Sequence, residues 1–130
     1  MKKILILILC FFPLTILAQE LKCCETINEA EAYLNGNWKK KNSEPNQQYR
    51  FEFNNGTGKF KVFNIKENGT LEKSKTEQPD IKILKTDNGF EIEYDYGGLK
   101  TYTRIKYLNS NKLIVMRKDG AEMEYYKISE

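Results

Sequence analysis

Histidine is absent from this 130-residue chain, and a large part of enzyme chemistry is absent with it. Without an imidazole there is no Ser-His-Asp or Cys-His nucleophile pair, no His-ligated zinc, and no side chain whose ordinary pKa lies near neutrality. Tryptophan occurs once, and proline and cysteine three times each. Cys23 and Cys24 are adjacent, so a bond between them cannot staple distant parts of a fold. Two free thiols, a vicinal disulfide and an intermolecular disulfide are all open to them. Neither Cys10 nor Cys23 follows the Leu, small, small triplet of a lipoprotein anchor. No Asp-x-Asp-x-Asp-Gly calcium loop, phosphate-cradling glycine loop or Cys-x-x-Cys pair occurs. One-sided charge is missing too: Lys and Arg number 21 against 18 Asp and Glu, with the signs interleaved. Phosphate binding wants clustered basic residues, so no nucleic-acid partner is expected. No cofactor or metal is expected either.

The chain opens with Met1-Lys2-Lys3, an apolar run from Ile4 to Leu17, and Ala18-Gln19. That order is the pattern of a secretory signal peptide over residues 1–18. A membrane-spanning helix needs about 20 apolar residues, and this run has 14, so a cleaved leader is expected rather than an anchor. Residues 19–130 then form one domain, exported to the periplasm or beyond. Lys2 and Lys3 leave with the leader, and the 112 residues that remain carry 19 basic and 18 acidic groups. They retain 14 aromatic rings, enough to build a modest core from large side chains and to argue against disorder.

From Glu25 to Leu34 the residues are helix formers, with Ile27, Ala30, Tyr33 and Leu34 at helical spacing and Asn35-Gly36 as a stop. After Gly36 the period becomes two. Tyr49, Phe51 and Phe53 alternate with Gln48, Arg50 and Glu52; Phe90, Ile92, Tyr94 and Tyr96 alternate with Glu91, Glu93 and Asp95. Such strands have one buried and one wet face. Less regular candidates run over 38–41, 59–65, 71–76, 81–85, 99–108, 112–118 and 122–128. Turn signals separate them: Asn54-Asn55-Gly56, Asn68-Gly69, Asp87-Asn88-Gly89, Gly97-Gly98, Asn109-Ser110-Asn111 and Asp119-Gly120. About nine strands follow one helix, each expected to pair with the next. The expected fold is all-β: an up-and-down antiparallel meander closing into a small barrel with one short N-terminal helix, with a two-sheet sandwich as the rival.

Gly36-Asn37-Trp38 stands where the helix gives way to the first strand. Here the sequence resembles the lipocalin superfamily, and more closely its compact bacterial lipocalin-like domains, which place Gly-x-Trp at the start of the first strand after a helical turn. Leu34 before the motif, the meander over residues 36–129 and the ending Leu113 to Gly120 then Glu124 to Ile128 agree with it. The resemblance implies that Trp38 closes the barrel floor and that Arg117, which keeps the period of Leu113 and Val115, lies across its ring as a cation–π partner. It also implies non-enzymatic binding of a small, mostly apolar ligand in the barrel mouth. The residues expected to line that site are Tyr49, Phe51, Phe60, Phe90, Ile92, Tyr94 and Tyr125.

The short strands point to a shallow cup, and small barrels are often filled by their own side chains. Tyr49, Tyr94, Tyr96, Tyr102, Tyr107 and Tyr125 could line a pocket or fill a core with their hydroxyls at the rim. Tyr102 falls out of register with Thr101, Thr103, Ile105 and Tyr107 and is expected outside. A middle-loop motif of the larger lipocalins survives only as an echo in Thr86-Asp87-Asn88. Glu91, Glu93 and Asp95 share a polar face and form no general acid/base pair. Asn55-Gly-Thr57 and Asn68-Gly-Thr70 match glycosylation acceptors but read as turns, and the basic groups of 59–61 and 82–85 read as edge protection. The alternative function is a filled barrel acting through its outside, as an envelope interaction module or an inhibitor of a protein partner.

Overall fold

The computed structural model describes residues 23–42, 46–75, 78–87 and 89–128. The leader assigned to residues 1–18 lies outside them, as does Asn88 of the middle-loop echo.

Among the described residues one helix, α1 (Ile27–Leu34), precedes nine strands: β1 (Gly36–Lys40), β2 (Gln47–Asn54), β3 (Thr57–Ile65), β4 (Leu71–Lys73), β5 (Asp80–Thr86), β6 (Gly89–Tyr96), β7 (Leu99–Leu108), β8 (Lys112–Arg117) and β9 (Glu122–Lys127). α1 starts two residues after Glu25 because Thr26 caps it. The Thr26 hydroxyl accepts a 3.2 Å bond from the Glu29 amide, satisfying one of the orphan donors at a helix start. Glu29 also puts negative charge in the first turn, at the positive end of the helix dipole. The helix stops at Asn35, whose side chain then behaves like a piece of strand. Its oxygen accepts from the Phe53 amide at 2.7 Å and its amide donates to the Phe53 carbonyl at 3.1 Å. Ahead of α1, Cys23 and Cys24 form a vicinal disulfide, half-buried against the core.

Antiparallel pairing runs around a closed ring of eight strands. β1 pairs with β2 on one side (Trp38 opposite Tyr49) and with β9 on the other (Trp38 opposite Lys127), and β2–β3 pairing completes the circuit. The expected up-and-down barrel is therefore the observed fold, and the sandwich is not. One expectation within it is corrected: not every strand pairs with the next. β4 pairs only with β3, and β3 carries on directly to β5 through Thr57–Lys82, Gly58–Ile81 and Lys59–Asp80. β4 has three residues, all exposed, so it has no inward face with which to earn a place in the wall.

Two turns show why their sequence was a strong signal. Asn55 and Gly56 take φ of 55° and 85° between the closing pair Asn54–Thr57, the two positive values that a tight hairpin needs. The Gly56 amide donates to the Glu31 carboxylate at 2.7 Å and its carbonyl accepts from the Ile83 amide at 2.8 Å, so this turn joins helix and wall. At Gly36, φ is 133°, and an added Cβ would lie 2.8 Å from Lys127 Cε. Only glycine fits where the chain leaves the helix and crosses the base of the barrel.

α1 lies across the end of the barrel that carries the β2–β3 turn, and the apolar side chains at that end are buried. Leu34, Trp38, Ile92 and Leu113 have no measurable exposure, and Phe51, Ile83, Phe90, Ile105, Leu108 and Val115 have at most 3%. The Trp38 indole N–H donates to the Leu34 carbonyl at 2.9 Å, satisfying the one polar atom of the floor's largest ring. No helix among the described residues is long and apolar enough to cross a membrane.

Candidate functional site

The opposite end of the barrel, formed by the β6–β7 and β8–β9 turns, has no helix over it among the described residues and holds a cavity of about 650 Å³. Its wall comes from inward positions of four strands. Phe60 belongs to β3, Tyr94 and Tyr96 to β6, Thr101 and Thr103 to β7, and Met123 and Tyr125 to β9. Lys100, Tyr102, Arg117, Lys118 and Asp119 complete it at the rim.

The base of the cavity is a cluster of rings. Phe60 meets Tyr94 edge-on at 5.8 Å, stacks on Tyr49 at 5.8 Å and tilts against Phe51 at 4.9 Å, while Tyr49 meets Tyr125 edge-on at 5.7 Å. These are the offset and T-shaped contacts that aromatic quadrupoles favour. Two hydroxyls stand within the apolar wall. Tyr94 is 9% exposed; burial pushes its phenol up to about 12, and its hydroxyl takes only a long 3.4 Å bond from Thr103. Burial also raises the Tyr125 phenol, whose hydroxyl donates to the Met123 sulfur at 4.0 Å, a weak acceptor. Both groups stay protonated at physiological pH. They can donate to an oxygen or nitrogen acceptor in the cavity but cannot cycle a proton near neutrality.

The seven residues expected to line the site fall at three depths. Phe60, Tyr94 and Tyr125 line the cavity. Tyr49 is half-buried in the ring cluster, its hydroxyl bonded to Gln47 at 3.1 Å. Phe51, Phe90 and Ile92 are not part of its lining and belong to the buried core at 1%, 2% and 0% exposure. Alternation shows which face a residue occupies; it does not show how far along the barrel axis it sits. Thr101, Thr103 and Met123 were absent from the sequence-based set. Their signal is register: Thr101 and Thr103 keep the period of Ile105, and Met123 keeps that of Tyr125.

The closure expected of Arg117 is corrected. Arg117 does not reach Trp38. β8 runs from the floor at Leu113 towards the mouth, so its inward period delivers Arg117 to the open rim, where it is more than half exposed and pairs with Asp119 at 2.8 Å. The cation on Trp38 is Lys127, from the antiparallel β9, which runs back to the floor. Its ammonium lies 4.9 Å from the ring centroid and donates to the Tyr33 carbonyl at 2.7 Å. Burial holds its pKa below the usual lysine value.

Tyr107 is a second correction. The register shifts between Ile105 and Tyr107, a bulge that places Leu108 inward opposite Leu113 and turns Tyr107 outward opposite Ile114, where the Lys112 ammonium lies 5.8 Å from its ring. Tyr102 is opposite Glu93 on the outer face, as its register suggested, and the cavity spills over the rim to reach it. Desolvation and the neighbouring Glu93 carboxylate raise its phenol pKa.

On the outside, Arg50 donates to the Asn37 side chain at 2.6 Å and lies 4.6 Å from the Phe63 ring centroid. Among the described residues no cluster of three or more His, Cys, Asp or Glu could hold a metal ion. Set against known proteins, the chain matches no family model, no curated protein and no solved structure. The closed eight-stranded barrel with one helix is consistent with lipocalin-like architecture on its geometry alone.

Proposed function

We propose that this chain is a lipocalin-like exported protein that binds a small, mostly apolar ligand in the barrel mouth and catalyses no reaction. The observation that carries the reading is the 650 Å³ cavity above a floor of fully buried side chains. Ligand sites are typically about 300–1,000 Å³, largely apolar, with a few oriented polar groups. The cluster of Phe60, Tyr94 and Tyr125 supplies the apolar wall, and the hydroxyls of Tyr94 and Tyr125 supply donors that lack strong acceptors. Gly36-Asn37-Trp38 at the helix-to-strand junction supports the family, and the leader pattern in residues 1–18 supports export to the bacterial envelope.

Titration with the neutral fluorophore N-phenyl-1-naphthylamine, together with native mass spectrometry of protein purified from its own host, tests this. Saturable binding that Tyr125→Phe or Met123→Ala weakens, or a co-purifying small molecule, is the expected result. No binding and a repeatedly empty protein would overturn it. A second reading, an envelope interaction module acting through its outer surface, draws on Leu99, which stands 70% exposed at the β6–β7 turn.

A further inference from the structure

We infer that the mouth selects an organic anion, whose charged group is held at the rim by Arg117 and Lys118 while its apolar body occupies the ring-lined cavity. This deepens the ligand-binding reading of the same site and rests on it.

Charge is distributed unevenly around the mouth. The wall formed by Phe60, Tyr94, Met123 and Tyr125 carries no formal charge, and the facing rim carries Lys100, Arg117, Lys118 and Asp119. Lys100 is drawn to Glu93 on the outer face, 3.8 Å away. Among the described lining residues Asp119 is a single carboxylate beside two remaining cations. Its partner is Arg117, and both side chains are more than half exposed. An ion pair so exposed is weak, and it occupies one nitrogen of a guanidinium that has five N–H donors. Lys118 has its ammonium 5.1 Å from the centroid of the Tyr102 ring, at the lip of the cavity. Arg117 follows Leu113 and Val115 on the inward period of β8, which sends its stem over the opening. A ligand with one anionic group can therefore place its body among the rings and bring its charge to this lip. The phenols below remain protonated and do not repel it.

Two probes with the same phenyl-naphthylamine body separate the ideas: neutral N-phenyl-1-naphthylamine and its sulfonate, 1-anilinonaphthalene-8-sulfonate. Wild-type protein is expected to bind the sulfonate about tenfold more tightly, the scale of a charge-assisted hydrogen bond. Arg117→Gln with Lys118→Gln should abolish that preference, bringing the two probes to within about twofold of each other. Asp119→Asn, which releases Arg117, should strengthen sulfonate binding. Raising salt from about 0.05 to about 0.5 M should weaken only the sulfonate. These exposed rim variants should keep the wild-type circular dichroism and melting temperature. Equal affinity for the two probes, or a preference that survives the double substitution, overturns the inference while leaving the mouth as a site. Failure of both probes to bind overturns the ligand-binding reading and this inference with it.

Discussion

At the floor, Leu34 of α1 and the strand residues Trp38, Ile92 and Leu113 are fully buried; at the mouth, Tyr96 and Met123 on the inward faces are only half-buried and Thr101 is exposed. Both ends belong to the same strands with the same period of two. What differs is the cover. At the floor a helix, an indole and a lysine close the barrel, and their polar groups are drawn into hydrogen bonds: the Trp38 N–H on Leu34, the Lys127 ammonium on Tyr33, and the Asn35 side chain on Phe53. At the mouth no described element caps the turns, and hydroxyls and cations stand around the cavity. The tightly buried apolar side chains lie at one end of the molecule and the open cavity at the other.

Substitutions that strike each end in turn can break this contrast. Trp38→Ala should be the most damaging, costing about 3–5 kcal/mol as a large cavity opens in a packed floor. Met123→Ala at the mouth, which enlarges space already present, should cost about 1 kcal/mol or less. Urea unfolding followed by circular dichroism measures both, and equal losses would erase the distinction. Gly36→Ala comes next, at about 1–3 kcal/mol, because the left-handed backbone and the close approach of Lys127 both oppose a side chain.

Lys127→Met should cost about 1 kcal/mol through the lost cation–π contact and hydrogen bond. Arg117→Met should change stability by no more than about 0.5 kcal/mol. Thermal melts of the pair show directly which cation closes the barrel. The smallest effect at neutral pH belongs to Tyr94→Phe, which loses one long bond to Thr103. Its signature is alkaline. With a folded pKa near 12 against an ordinary 10.0, Tyr94 contributes stability that is complete below pH 10 and is lost as pH rises from there through 12. This follows because the unfolded chain gives up its proton first. Denaturant midpoints measured across that range should fall less steeply for Tyr94→Phe than for the wild-type protein.

The ring of strands was legible because its cues are local. Alternation in Tyr49 to Phe53 and in Phe90 to Tyr96 fixes which side chains face inward, and Asn55-Gly56 fixes a hairpin. What the cues do not carry is position along the barrel. Phe51, Phe90 and Ile92 share the inward face of Phe60 and Tyr94, yet they sit in the packed region below the cavity. Arg117 and Lys127 both hold inward positions, and only the opposite directions of β8 and β9 decide which one meets Trp38. The bulge after Ile105 also escapes a reading by period, since one inserted residue reverses the faces of all that follow and sends Tyr107 out. β4 has a strand-like sequence and no inward residue, which shows only once its neighbours are known.

The central claim is that the mouth, and not the floor, receives the ligand. Methionine methyl NMR tests it most directly, because Met123 lines the cavity while Met116 lies on the outer face of β8, opposite Glu122. Titration with N-phenyl-1-naphthylamine into protein carrying ¹³C-methyl methionine should shift the Met123 signal in a saturable way, with the Met116 and Trp38 indole signals unmoved. Saturable shifts at Trp38 or Met116 with Met123 unchanged would contradict the account.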